Sequence, residues 1–304
     1  MNKLSKILLV LFIAAAVVLV SNIQAKDPRF LDENRSKIVD PVEKREALRT
    51  QIEEMRAEIA ANGYTFTVDV NPAMQYTIEQ LCNFKPELQT DFWEEEPISE
   101  VEGKPGPTLP AAYTANYTSV KDQGSCGSCW AFSTAGMFES ILLKKGINTD
   151  LSEQWLVSCN TNGWGCNGGN FANSYYLNPG AVLEQCFPYK ATDAPCKTGC
   201  PYVYVASASK SASNTSAIKT AIYNYGGVSC SVYVSSYFQA YSGGVFNYCT
   251  NSPANHAVVL VGWDDSKGAW RMKNSWGRSW GESGMMWITY GCCGIGGGGN
   301  YLIY

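Results

Sequence analysis

Hydrophobic and polar positions change their pattern several times along this chain. Ile7 to Val20 is an unbroken apolar run of 14 residues, short of the ~20 that a membrane-spanning helix needs. Lys3 and Lys6 precede it and Ser21-Asn22-Ile23-Gln24-Ala25 follows, which predicts a secretory signal over residues 1–25, cut after Ala25. An uncleaved anchor is the alternative. Val42 to Ala61 carries a helical pattern in which Glu46, Arg49, Glu53 and Arg56 alternate in sign, as on a solvated surface helix. Gly63 to Val68 reads as a short strand, and the Pro/Glu/Gly-rich stretch Glu94 to Pro110 as an exposed linker. Beyond it, Phe132, Ala135, Phe138, Ile141 and Leu142 recur at helical spacing, which starts a buried helix at Cys129. Ala257 to Trp263 is an apolar run of the kind that forms a core strand.

The 304 residues allow one large or two medium domains, and 12% aromatic against 16% charged residues argues against a disordered chain. A net charge of −4 excludes a typical nucleic-acid-binding protein. The charge is unevenly spread. Residues 26–108 hold 10 Lys/Arg and 18 Asp/Glu, a net of −8, whereas residues 109–304 hold 11 and 9, a net of +2. An acidic segment, a cuttable linker and a slightly basic domain suggest a cover that is removed during maturation, with an ordinary small N-terminal domain as the alternative. Twelve cysteines stand beside one histidine, so a histidine-rich metal centre is ruled out and no metal or cofactor is expected. Cysteines behind a secretory signal point to disulfides in an oxidising compartment.

The candidate chemistry lies in Gln123-Gly124-Ser125-Cys126-Gly127-Ser128-Cys129-Trp130. A cysteine at a helix N-terminus meets unpaired N–H groups and partial positive charge, both of which favour the thiolate that acts as nucleophile. His256 is the chain's one imidazole and so the candidate base, and Asn274 follows it as an amide able to fix the ring's tautomer. The pair Cys126/Cys129 is also a CxxC, readable as a redox centre, although no upstream strand–helix unit of the thioredoxin type accompanies it.

These segments, with Leu151-Ser152-Glu153-Gln154, Gly165-Cys166-Asn167-Gly168-Gly169 and Asn274 to Gly281, resemble the papain family of cysteine peptidases, in particular its cathepsin L-like members. The resemblance covers nearly all of 109–304. It implies an α+β fold with a helical lobe and a β-barrel-like lobe, Cys129 and His256 facing each other across the cleft. Cys129 is then the nucleophile of an acyl-thioester mechanism, His256 the general acid/base and Asn274 the orienter, with Trp276 shielding that hydrogen bond. Gln123 would donate to the oxyanion, and Gly168 and Gly169 would pair with substrate backbone. Phe171, Ala254, Asn255 and Gly298 would line the main specificity pocket, which lacks a carboxylate and so suits bulky apolar side chains. With no histidine to spare for an occluding loop, an endopeptidase is expected over an exopeptidase. A thiol-disulfide oxidoreductase and an inactive papain-like binding protein are the alternatives.

The resemblance pairs Cys126 with Cys166, Cys159 with Cys196, and Cys249 with Cys293. Cys186 and Cys200 are left as candidates for a fourth bridge, and Cys230 and Cys292 for a fifth. Residues 26–108 depart from the family: Tyr64 to Met74 is similar to part of its inhibitory propeptide, but the long helical signature is not recognisable. The expected organisation is a signal (1–25), an acidic inhibitory propeptide (26–108) and a peptidase domain (109–304). Expected partners are polypeptide substrates and the chain's own propeptide, with no nucleic acid, no stable membrane association after signal cleavage, and a monomeric state. The compartment is extracellular, periplasmic or lysosome/vacuole-like.

Overall fold

The computed structural model describes residues 41–88, 94–95 and 108–304. The predicted signal and most of the predicted linker fall outside the described residues. The described chain opens with α1 (Pro41–Asn62) and β1 (Phe66–Val68), followed by α2 (Ile78–Leu81) and β2 (Glu94–Glu95). After β3 (Ala112–Thr114) come three helices, α3 (Cys129–Lys144), α4 (Glu153–Cys159) and α5 (Asn173–Leu177). The rest is strand-rich: β4 (Ala208–Ala212), α6 (Thr215–Tyr225), β5 (Val228–Val232), α7 (Ser236–Gln239), β6 (Tyr241–Phe246), β7 (His256–Asp264), β8 (Ala269–Lys273), β9 (Met285–Thr289) and β10 (Gly299–Ile303). No described helix is long and apolar enough to cross a membrane.

The two-lobed α+β architecture is built around two almost wholly buried elements. In α3 every position from Cys129 to Leu142 is buried, because the helix is enclosed all round rather than on one stripe. In β7 every residue from His256 to Trp263 is buried, as expected of a strand covered on both faces. β7 pairs antiparallel with β5 and β8, and the sheet continues through β9 and β6 to β1. Ser133 of α3 donates to the Val258 carbonyl at 2.7 Å, which fixes helix against strand. A buried ionic cluster ties α3 to α4: Lys121 Nζ donates to Glu139 Oε1 at 2.9 Å and to Glu153 Oε1 at 2.8 Å. α4 starts where Ser152 Oγ accepts from the Trp155 N–H, a side-chain cap that satisfies one orphan donor.

The acidic N-terminal segment is partly as expected. The predicted helix and strand both form, and the helix carries Glu46–Arg49 and Glu53–Arg56 ion pairs on its exposed side. Yet Ile52, Met55 and Ile59, at three- and four-residue spacing, are buried. β1 adds to the edge of β6, with Phe66 opposite Gly244. A β-carbon on Gly244 would lie 2.4 Å from the Thr65 carbonyl, so this close strand approach requires glycine there.

The cysteine framework corrects two expectations. Cys126–Cys166, Cys159–Cys196 and Cys186–Cys200 form as expected. Cys249, however, bonds Cys292 (Cα–Cα 4.7 Å), not Cys293. Neighbouring residues point in different directions, and Cys293 is turned away in a left-handed conformation (φ 54°) with its thiol directed to the Tyr248 carbonyl. The fifth pair, Cys230 with Cys292, is therefore absent. Cys230 lies inside β5 against Gly299 of β10 and is a free, buried thiol.

Candidate active site

Cys129 is the first residue of α3, where the helix's unpaired N–H groups gather, and it has no solvent exposure. Backbone hydrogen bonds from Ala257, Asn83, Trp130 and its own N–H favour the sulfur's charged form, yet burial outweighs them and pushes the thiol up to about 11. Ala257 is the residue after His256, so the tip of α3 abuts the first residues of β7. His256 is fully buried, and its Nε2–H donates to Asn274 Oδ1 at 2.8 Å. That bond leaves Nδ1 as the lone-pair nitrogen, and Nδ1 is buried without a hydrogen-bond partner. Burial lowers the imidazole to about 4, with the Asn274 bond opposing it. Both members of the pair are thus neutral in this closed state, which differs from the ionised pair expected of an open cleft.

Asn274 Oδ1 also accepts from the Ser275 N–H at 2.8 Å, so the amide that orients the ring is itself fixed. Trp276 lies over the imidazole with ring centres 4.9 Å apart and is almost fully buried. Trp276 thereby covers the ring that makes the His256–Asn274 bond. Trp280 has a different part: its indole N–H donates to the Gln239 carbonyl at 3.0 Å, and its ring meets Trp276 edge-on. Gln123 is buried, with Ser275 Oγ donating to its Oε1 at 2.7 Å. Its Nε2 therefore faces the Cys129 end of α3 and donates to the carbonyls of Leu81 and Cys126, both at 2.9 Å.

The Leu81 contact shows what fills the cleft. Residues 82–85, between α2 and a 3-10 turn at Pro86–Leu88, cross the site as a non-helical segment. Lys85 N–H donates to the Gly169 carbonyl at 2.9 Å and Gly169 N–H to the Asn83 carbonyl at 3.2 Å, a parallel bridge of Phe84 with Gly169. On the other wall, Phe84 N–H donates to the Asn255 carbonyl at 2.9 Å. Gly168 has φ +112° and a β-carbon there would sit 2.5 Å from the Asn83 carbonyl; at Gly169 it would sit 2.8 Å from the Trp130 ring. Both positions therefore need glycine for backbone to lie this close.

Phe84 enters a groove of about 430 Å³ lined by Phe171, Asn170, Ser211, Ser231 and Gly297 to Gly299, among others, with no charged side chain in its lining. The Phe84 and Phe171 ring centres are 4.7 Å apart. Phe171 and Gly298 both line this groove. Ala254 and Asn255 do not line the groove; Asn255 serves through its backbone carbonyl, and its side-chain Oδ1 accepts from the Val234 N–H at 2.8 Å. Three supporting residues carried no signal in the sequence: Ser275, which holds Gln123; Asn170, whose amide donates to the Lys85 carbonyl at 3.0 Å; and Tyr189, which donates to the Gln123 carbonyl at 2.9 Å. Each is a polar residue whose partner is remote in sequence. Among the described residues no His/Cys/Asp/Glu cluster is arranged to hold a metal ion.

A nucleophile at a helix N-terminus, an amide-oriented imidazole on a core strand and a glycine wall that takes up extended peptide define a thiol-peptidase site. The chain belongs to the papain family of cysteine proteases, whose family model matches residues 111–302. Mouse cathepsin K is 41% identical over 183 residues, 55% of this chain and 54% of that protein. The gamete and mating-type specific protein A of Dictyostelium discoideum is 39% identical over 197 residues, 60% of this chain and 42% of that protein. The aligned part thus spans about half the length of these relatives. The digestive procathepsin L 3 of Tenebrio molitor larval midgut superposes with a TM-score of 0.74 at 28% identity, over 91% of this chain and 97% of that one. Its likeness extends through the N-terminal segment and establishes the papain-like two-lobed fold.

Proposed function

We propose that the protein is a cysteine endopeptidase made as a zymogen, with residues 26–108 as its inhibitory pro-segment and 109–304 as the enzyme. The observation that carries this is the arrangement of Gln123, Cys129, His256 and Asn274 around one point, with the main chain of residues 81–85 laid over it. When the cleft opens, His256 Nδ1 takes the Cys129 proton and the thiolate attacks the substrate carbonyl carbon. The oxyanion is met by Gln123 Nε2, now free of Leu81, and by the Cys129 N–H. The C–N bond breaks as imidazolium Nδ1–H protonates the leaving amine, which yields the acyl-thioester. His256 then deprotonates a water, the hydroxide attacks the thioester, and the acid product leaves with the thiol restored.

Polypeptides are the substrates, with the Gly168–Gly169 wall adding them as a strand. The uncharged groove occupied by Phe84 supports a preference for bulky apolar side chains at that subsite. Four disulfides and the family's cathepsins support a secreted or lysosome-like setting, with residues 1–25 as the signal, a monomeric enzyme and no lasting membrane attachment. Incubation of acid-processed protein with a thiol-directed epoxide tests the activity: stoichiometric alkylation at Cys129 with loss of peptide hydrolysis is expected. Alkylation without any prior hydrolysis would favour a binding protein. Arginine preferred over phenylalanine in a peptide library at the groove's subsite would refute the specificity.

A further inference from the structure

The described residues contain four free cysteines, Cys82, Cys129, Cys230 and Cys293, all buried. Cys230 is enclosed in β5 and Cys293 in the turn beyond β9, and nothing pairs them. Cys82 is different. It is the one cysteine between residues 26 and 108, and no step of hydrolysis uses it. Its neighbours touch the catalytic centre on both sides: the Leu81 carbonyl accepts from Gln123 Nε2, and the backbone of Asn83 hydrogen-bonds the Cys129 sulfur. The Cα of Cys82 is ~3.8 Å from the Cα of each of these neighbours, so it is held against the Cys129 end of α3. Cys82 is buried, and its thiol is close enough to Cys129 that a thiolate there opposes its ionisation, an effect that follows only burial in size.

We propose that Cys82 and Cys129 form a reversible disulfide, a covalent latch that holds the pro-segment in the cleft until a thiol reductant opens it. The inference rests on reading Cys129 as the peptidase nucleophile and goes beyond it to how that nucleophile is silenced. A disulfide needs Cα atoms about 4.4–6.8 Å apart, so the latch closes when docking brings Cys82 that near to Cys129.

The latch is set by a low-molecular-weight disulfide, RSSR, of the oxidising compartment. With the segment undocked, the Cys129 thiolate attacks RSSR, giving a mixed disulfide and RS−. As the segment docks, the Cys82 thiolate attacks the Cys129 sulfur and expels the second RS−. In sum, two protein thiols and RSSR give one protein disulfide and two RSH; two electrons pass to RSSR and two protons follow them. Opening is the reverse. A reductant thiolate attacks the Cys82 sulfur, and Cys129 is the leaving group. Once the cleft rewets, Cys129 regains its helix N-terminus and imidazole, which make it the better leaving thiolate.

The full-length zymogen tests this. It is equilibrated in glutathione buffers of rising GSSG/GSH ratio, trapped with N-ethylmaleimide and digested without reduction. The expected result is a linked pair of peptides containing residues 82 and 129 under oxidising conditions. That pair is lost on mild reduction that leaves Cys126–Cys166, Cys159–Cys196, Cys186–Cys200 and Cys249–Cys292 intact. Wild-type zymogen needs added thiol to self-process in acid, and Cys82→Ser or Cys82→Ala does not. Maleimide on both Cys82 and Cys129 throughout the oxidising range, with the other four bridges intact, overturns the latch. A thiol requirement unchanged in both variants also overturns it. The linked peptide is read without any activity. A cross-link in a protein that never hydrolyses peptide would refute the peptidase reading alone.

Discussion

The side-chain amide of Gln123 donates to the carbonyl oxygen of Leu81 at 2.9 Å, so a pro-segment carbonyl occupies the donor that a reacting carbonyl would need. On the proposed reading, the contact accounts for inhibition without consumption of the segment. It engages the oxyanion donor while burial keeps Cys129 and His256 uncharged. Gln123→Ala is expected to lower kcat by about 10²–10³-fold in the mature enzyme, the usual cost of one oxyanion donor. Epoxide labelling of Cys129 should persist. Steady-state kinetics beside a labelling assay checks both, and equal loss of the two would instead mean a collapsed site.

Phe84 makes an apolar contact between the proposed pro-segment and the cleft, through the groove and the Phe171 ring. Phe84→Ala should weaken inhibition by the pro-segment by about 3 kcal/mol, the low end for a buried phenylalanine truncation, which is about two orders of magnitude in inhibition constant. Titration of mature enzyme with the isolated 41–108 polypeptide measures it; unchanged inhibition would remove Phe84 from the argument.

Acid should release the pro-segment. In the closed state His256 titrates at about 4, below its ordinary 6.5, because it is buried. The open cleft returns it toward that ordinary value, so the open state binds more protons between pH 6.5 and 4. Closure is therefore at full strength above pH 6.5 and loses up to about 3 kcal/mol as pH falls to 4. Cys129, raised to about 11 when closed, is protonated there but ionised in the open pair, so its proton release on opening offsets the His256 uptake until the pH falls below the open thiol's own range of roughly 3.5–7.5. Processing rate measured from pH 7 to pH 4 should rise, with its midpoint inside that window; a flat profile would contradict the coupling.

The two adjacent cysteines should differ sharply. Cys292→Ser opens a bridge that closes 43 residues, for which chain entropy predicts a loss of about 4 kcal/mol. Cys293→Ser replaces one buried, unbridged thiol by a hydroxyl that can keep the contact with the Tyr248 carbonyl, which costs about 1 kcal/mol, well short of the bridge loss. Urea unfolding of the two variants distinguishes them, and equal losses would show that the pairing interchanges.

Gly169→Ala probes the peptide-binding wall. Its β-carbon would meet the Trp130 ring at 2.8 Å, and Trp130 cannot retreat because its indole N–H is bonded to the Gly165 carbonyl at 3.2 Å. The strand that accepts Lys85 must shift, so both peptide hydrolysis and pro-segment affinity should fall together. Hydrolysis lost with affinity unchanged would place the effect elsewhere.

The sequence by itself determined the chemistry. Cys129 ahead of a helical apolar pattern, His256 at the head of an apolar strand and Asn274 beyond it are local signals, because helix and strand periodicities show which residue begins an element. The charge imbalance set residues 26–108 apart from the rest of the chain, with a removable cover and an ordinary small N-terminal domain both left open. Tertiary structure decided everything that depends on which remote groups meet. Cys292 rather than Cys293 bonds Cys249, since a left-handed turn directs one sulfur inward and the other aside. Ser275 holds Gln123 across 152 positions. Cys82 came to lie beside the nucleophile because hydrogen bonds at Leu81, Asn83 and Phe84 anchor the segment between the two walls. Pattern along a chain records propensity and burial; proximity between distant residues arises only when packing closes the chain on itself.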